Sequence, residues 1–243
     1  MKTIPTEYGQ VHVLAEEELY AEMLKYIHQA VDEAGDGLAT VGLSGGSTPK
    51  AFFKWVGENK TLSPEVAKKV LWSTSDERCV PQEDDDSNFG HADREMLTPL
   101  GVPAENKFPW PTELEPAACA DAYTKAWNDK VGEERAYDVC FVGMGDDNHT
   151  LSLFPECPLI GAGLTESFAA TLWPSRGWRV TLTPHGLTKC KRIVVCCPGA
   201  NKAGPLKAAL KEDFNPTHKP IQLLRAHADK TVWLVDEAAA ALL

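Results

Sequence analysis

No apolar run in the chain approaches the roughly 18 residues of a membrane span, and no N-terminal stretch joins a basic start, an apolar core and a small-residue cleavage site. Membrane partners and export are therefore not expected, and a cytoplasmic protein is. Positive charge is also scarce: 24 Lys and Arg against 35 Asp and Glu give a formal net charge of −11. Such a chain repels polyanions, and no stretch clusters basic residues with aromatics, which argues against nucleic acid as a partner. An anionic substrate would need specific local cations. The seven cysteines form an odd set without a CxxC spacing, and Cys196-Cys197 lies in the apolar run "RIVVCCPG". Buried free thiols in a reducing compartment are expected instead of disulfides or a zinc site. Internal repeats and low-complexity linkers are lacking too, and the proline-rich piece "FPWPTELEP" is short enough for one surface loop. One domain over residues 1–243 is the expectation.

What is present is an alternation of helical and strand patterns. In "EEELYAEMLKYIHQAVDEAG", Leu19, Met23, Ile27 and Val31 recur at helical spacing, with acids and Lys25 on the other side and Gly35 near the end. "GLATVGLS" reads as a strand, and "GGSTPKAFFKWV" as a glycine turn opening a helix. "KVLWSTSDERCVP" reads as strand into loop, "DSNFGHADREMLTPL" as loop into helix, "AACADAYTKAWNDKV" as helix and "YDVCFVGMG" as strand. "WRVTLT", "RIVVCCPG" and "KTVWLVD" supply further strands, with helices at "NKAGPLKAALK" and "DEAAAALL". This order predicts an α/β fold of three layers, α/β/α, with a mostly parallel sheet whose strand carboxyl ends gather the site.

Three stretches at such ends carry chemistry. In "LSGGSTPKAFF", Gly45 and Gly46 permit a sharp turn, and Thr48 and Pro49 suit the N-cap and first helical position. That end suits a phosphate, although a purely structural junction would look the same, and neither a GK[ST] ending nor GxGxxG supports a nucleotide. "STSDERCVP" places Asp76, Glu77 and Arg78 after a strand, either as a surface ion network or as a guanidinium fork for an anion beside an acceptor for sugar hydroxyls. "GMGDDNHTLSLFPECP", residues 143–158, sets Asp147 two residues before His149 in a glycine turn, with Thr150 positioned to cap the next element. At a helix start the imidazole would be kept neutral as a base, while a carboxylate would orient it and oppose that shift. The other six histidines, at 12, 28, 91, 185, 218 and 227, read as structural or exposed. A metal on Asp146, Asp147 and His149 lacks a second ligand cluster, a G-x-S-x-G elbow is missing, and the acidic run "EDDD" at 83–86 reads as a solvated loop.

Together these stretches resemble the 6-phosphogluconolactonases along nearly the whole chain. The carrying motifs, in order, are "GLSGGSTP", "SDERCVPQEDDDSNFG", "GMGDDNHTLSLFP", "RVTLT", "GANKAGPLKAAL" and "VWLVDEAAAALL". The resemblance implies hydrolysis of 6-phospho-D-glucono-1,5-lactone, a phosphorylated sugar lactone, without metal or organic cofactor, on a Rossmann-like sheet akin to that of the glucosamine-6-phosphate deaminases. It places the catalytic histidine on His149 and catalytic acids on Asp147 and Asp76. Around the sugar phosphate it places Ser44, Gly45, Gly46, Ser47, Thr48, Arg78, Arg179 and Lys202. A monomer or weak homodimer is expected. The chain departs from the family at Asn148, where glycine is usual; a positive φ there would cost asparagine very roughly 1 kcal/mol.

Two other readings compete. A glucosamine-6-phosphate deaminase-like isomerase shares the GGSTP loop, but it needs a glutamate five residues after the histidine, where Phe154 stands, and a tyrosine where Arg78 stands. A non-catalytic sugar-phosphate sensor would keep the phosphate ligands, lose the base and carry a DNA- or partner-binding segment.

Overall fold

The computed structural model describes residues 1–243, apart from the side chains of Glu16 and Glu17. The strands are β1 (Lys2–Thr6), β2 (Gly9–Val13), β3 (Ala39–Leu43), β4 (Val70–Thr74), β5 (Asp76–Arg78), β6 (Val139–Val142), β7 (Phe168–Trp173), β8 (Gly177–Leu182), β9 (Ile193–Cys196) and β10 (Thr231–Val235). The helices are α1 (Glu16–Ala34), α2 (Ser47–Asn59), α3 (Pro64–Ala67), α4 (Asn88–Ala92), α5 (Pro116–Val131), α6 (Pro184–Thr188) and α7 (Ala203–Lys211).

Seven strands form the main sheet in the order β1-β2-β10-β9-β6-β3-β4, parallel throughout except for β1, which pairs antiparallel with β2. Period-two alternation sorts the side chains of each strand onto the two faces. Val139 and Phe141 of β6 join Val41 of β3, Val194 of β9 and Leu234 of β10 in one core, against α1, α2 and α4. Cys140 and Val142 join Ile193, Val195 and Trp233 in the other, against α5 and α7. Both faces are therefore covered, which is why the central strands read as continuous apolar runs. The α1 positions Leu19, Met23, Ile27 and Val31 are all buried, and Gly35 ends that helix at φ 59°.

A second, three-stranded antiparallel sheet, β5-β8-β7, departs from the sequence expectation. "DER" is not loop but β5, paired residue for residue with β8, and "RVTLT" belongs to this sheet instead of the parallel one. "DEAAAALL" closes as a short 3-10 turn, Ala239–Leu242, not an α-helix. All seven cysteines are free thiols, six of them buried. Among the described residues, no helix is long and apolar enough to cross a membrane.

Candidate active site

The carboxyl ends of β3, β4, β6 and β9 meet the second sheet around a cavity of about 300 Å³. Its lining includes Ser44, Gly45, Gly46, Ser47, Thr48, Asp76, Arg78, His149, Arg179 and Lys202, so nearly every residue singled out from sequence converges here. Asp147 stands behind the lining and reaches it through His149.

The glycine loop leaves β3 and enters α2 with Gly46 as N-cap at φ 101°, a backbone conformation that only glycine adopts without strain. The helix starts at Ser47, so Thr48 lies within its first turn instead of capping it, and no side chain caps this end. Its backbone N–H groups and the positive end of the helix dipole are thus available to an anion.

β5 splits the three "DER" side chains by the alternation of a strand. Glu77 turns inward, where its carboxylate accepts the backbone N–H groups of Arg78 (2.8 Å), Asn88 (2.7 Å) and Phe89 (2.7 Å). Burial pushes this carboxyl up to about 7 while those three donors pull it down. Glu77 therefore anchors the start of α4 and takes no part in a surface ion network. Asp76 Oδ2 accepts the Ser152 hydroxyl at 2.7 Å, and the Asp76 carbonyl accepts the Asn88 amide at 2.9 Å. Arg78 and Arg179 lie directly opposite each other on β5 and β8. The Arg78 guanidinium donates to the Asp86 carbonyl, so the acidic run steadies it through backbone. Burial, then the like charge of Arg78, lowers the pKa of Arg179. Neither arginine has a carboxylate within ion-pair distance among the described residues. Two adjacent guanidiniums without an acid form a site for an anion with several oxygens.

The loop after β6 carries the candidate base, His149. Asp147 Oδ1 accepts both the ring Nδ1 of His149 at 2.5 Å and its backbone N–H at 3.1 Å. Burial raises the Asp147 carboxyl, but the hydrogen bonds from His149 outweigh it and hold the carboxyl at about 2. With the Nδ1 proton directed at the carboxylate, Nε2 of the neutral ring carries the free lone pair. Gly145 is required by close approach: a Cβ there would collide with the His149 ring and the Asp147 carboxylate. Asn148 adopts φ 66°, the left-handed conformation usual for glycine, and its carbonyl accepts the Ile221 N–H at 2.9 Å. No helix comes after His149; Thr150 instead bonds the Gly143 carbonyl at 2.9 Å and bridges to Leu153. The expected helix-start dipole is therefore absent, and the ring is oriented by Asp147.

Two acids separate in role. Asp146 does not join Asp147 and His149 but binds Lys202 Nζ at 2.5 Å and Asn201 at 3.0 Å, and the Lys202 hydrogen bond lowers its pKa. Lys202 thus reaches the cavity with its ammonium already paired. Among the described residues no group of three or more His, Cys, Asp or Glu is arranged to hold a metal ion.

Sequence reasoning missed Asn88, Ser152, Trp173 and Arg176, all of which line the cavity. Trp173 and Arg176 sit on the β7–β8 hairpin, whose signal was legible as two β-rich runs, "FAATLW" and "WRVTLT", around a Pro- and Gly-containing turn. Asn88 and Ser152 have no comparable signal, because tertiary packing alone brings them to Asp76.

A larger cavity, about 650 Å³, opens at the amino ends of the strands beside Thr40, Tyr137 and Asp138. Arg135 pairs with Asp138 at 2.8 Å and Lys191 with Glu33 at 2.7 Å there. Its lining contains none of the residues singled out from sequence.

A family model described as Glucosamine-6-phosphate isomerases/6-phosphogluconolactonase matches residues 14–233. The chain is 31% identical to the 6-phosphogluconolactonase of Nostoc sp., over 92% of its own length and 93% of that protein's. It is 29% identical to the 6-phosphogluconolactonase of Synechocystis sp., over 95% and 96%. In fold it is similar to the solved 6-phosphogluconolactonase from Trypanosoma cruzi, with a TM-score of 0.83 over 100% of this chain and 98% of that one at 22% identity.

Proposed function

The chain belongs to the glucosamine-6-phosphate isomerase/6-phosphogluconolactonase family, and we propose that it hydrolyses 6-phospho-D-glucono-1,5-lactone to 6-phospho-D-gluconate, the lactone-opening step of the oxidative pentose phosphate pathway. The observation that carries this reading is the His149–Asp147 pair, 2.5 Å apart, beside the two arginines that lack an acid partner.

His149 Nε2 takes a proton from water as the water oxygen bonds to lactone C1. The tetrahedral intermediate then collapses: the bond from C1 to the ring oxygen breaks, and the imidazolium returns its proton to that oxygen. The new carboxylic acid ionises into solvent, so one residue serves as base and then acid. Asp147 keeps the ring oriented and stabilises the imidazolium, as a carboxylate does behind any catalytic histidine. Such acid–base help supplies about 10²- to 10⁴-fold, so charge stabilisation and positioning carry the rest. Arg78, Arg179 and the first-turn amides of α2, with Ser44, Ser47 and Thr48, share the phosphate and the oxyanion. Lys202 joins them by exchanging Asp146 for substrate. Asp76, with one oxygen on Ser152, offers the other to sugar hydroxyls.

Phe154 speaks against the deaminase reading: it fills the place of the ring-opening glutamate and stacks on Trp173 with centroids 5.0 Å apart. The net charge of −11 supports a freely diffusing small substrate over nucleic acid or an anionic membrane. Within this reading, residues 1–243 act as one domain, a cytoplasmic monomer or weak homodimer.

The test offers the protein freshly made 6-phosphogluconolactone and, separately, glucosamine 6-phosphate. The expected result is lactone loss well above the spontaneous rate, followed by NMR, with no ammonia from the amino sugar. Binding of the lactone without turnover would favour a sensor, and ammonia release would favour a deaminase.

A further inference from the structure

The cavity wall beside His149 is aromatic. The Trp173 ring meets the His149 ring edge to face, with centroids 4.8 Å apart and planes at 75°. Phe154 stacks on Trp173 at 19°. The guanidinium of Arg176 lies over the same indole, 4.6 Å from its centroid. Trp173 is the last residue of β7 and pairs with Gly177 of β8, so the turn between them is only three residues long. Ser175 takes φ 66° within it, and the Arg176 N–H donates to the Trp173 carbonyl at 3.0 Å. This short, hydrogen-bonded turn fixes the indole and the guanidinium as one unit. Arg176 is exposed and, among the described residues, has no carboxylate within ion-pair distance.

From these contacts we infer that Trp173 is a positioning residue for His149, and that Arg176, carried on the same turn, is a third guanidinium for the anionic end of the substrate. Asp147 sets the flip of the imidazole through Nδ1 but leaves the ring plane room to rock about that hydrogen bond. The indole removes this freedom, and Phe154, stacked on the indole, limits its tilt. Nε2 then faces the cavity in the resting protein, so orientation is settled before substrate arrives. Arg176 adds to Arg78 and Arg179, which line the same cavity. The inference deepens the hydrolase reading of this cavity and rests on it for the role of the substrate.

The experiment compares the wild type with Trp173→Ala, Trp173→Phe and Arg176→Ala, using 6-phosphogluconolactone hydrolysis and NMR of the His149 ring. An edge-to-face neighbour imposes a ring-current shift on the imidazole protons, which a merely structural tryptophan elsewhere would not. Trp173→Ala is expected to shift the His149 proton signals and lower kcat about tenfold with little change in KM. Trp173→Phe restores most of both. Arg176→Ala raises KM about five- to tenfold with a smaller effect on kcat. Unmoved His149 signals and an unchanged kcat in Trp173→Ala would overturn the positioning role, and an unchanged KM in Arg176→Ala would overturn the guanidinium role. If the wild type fails to hydrolyse the lactone, the hydrolase reading falls by itself, while the ring-current shift still decides whether Trp173 positions His149.

Discussion

The two ends of the same parallel sheet each carry a charged cavity, and they differ in how the charges are spent. At the amino end Arg135 is bound to Asp138 and Lys191 to Glu33, while Lys130 and Lys189 are tied to the carbonyls of Glu105 and Glu133 at 2.9 and 2.7 Å. At the carboxyl end Arg78 and Arg179 lie opposite each other on paired strands with no acid within ion-pair distance, while Asp147 orients an imidazole, Asp146 holds Lys202 and Asp76 accepts from Ser152. The amino-end cavity is about twice the volume, 650 against 300 Å³, yet its one arginine is already neutralised by an acid. Charge held without an acid partner costs folding energy unless a ligand uses it, so the unpaired guanidiniums, not cavity size, single out the carboxyl end as the candidate site.

The sharpest way to break the carboxyl end is Gly145→Ala. Its Cβ would displace the His149 ring and the Asp147 carboxylate, and kcat/KM is expected to fall about 10²-fold while near-UV circular dichroism stays native. Next comes a direct contrast of the two ends. Arg179→Ala removes a charge-assisted contact and should raise KM roughly 10- to 100-fold, whereas Lys189→Ala should leave KM within about twofold. Equal effects from the two would dissolve the distinction.

The Asp147 pair also predicts a pH window. Its folded carboxyl titrates at about 2, below the ordinary value of about 3.9, so the group stabilises the fold above that ordinary value and loses its contribution as pH falls towards 2. Thermal unfolding of the wild type and Asp147→Asn should therefore differ at pH 5 and converge as pH is lowered to 2. The smallest effect belongs to Asn148→Gly. Asn148 sits at φ 66° with its Oδ1 buried and unpaired among the described residues. Glycine relieves about 1 kcal/mol there and should raise Tm by about 2–4 °C in a chain of this size.

The same contrast explains why some regions were legible in the sequence. The carboxyl-end loops announce themselves because a sharp turn after a strand needs glycine at Gly46 and Gly145, and because Asp147 and His149 stand two apart as a candidate acid–base pair. The central parallel strands are equally legible as runs buried on both faces, and α1 as a periodic apolar face. Of the second sheet only β8 is legible as a strand, because β5 is three residues long and β7 lacks the alternation of a half-buried strand. The N-terminal ribbon escapes for a similar reason, because β1 is mostly exposed. Trp173 and Arg176 went unread because their role depends on where the β7–β8 turn lands, which pairing between distant segments decides. The pairing of Lys202 with Asp146 likewise joins residues 56 positions apart.

The most direct test of the central claim follows the decay of freshly prepared 6-phosphogluconolactone by NMR at neutral pH, with wild type, with His149→Ala and with no protein. The account predicts rapid opening by the wild type and a rate about 10²- to 10⁴-fold lower for His149→Ala, with the lactone still bound. A His149→Ala protein that opens the lactone as fast as the wild type would contradict it.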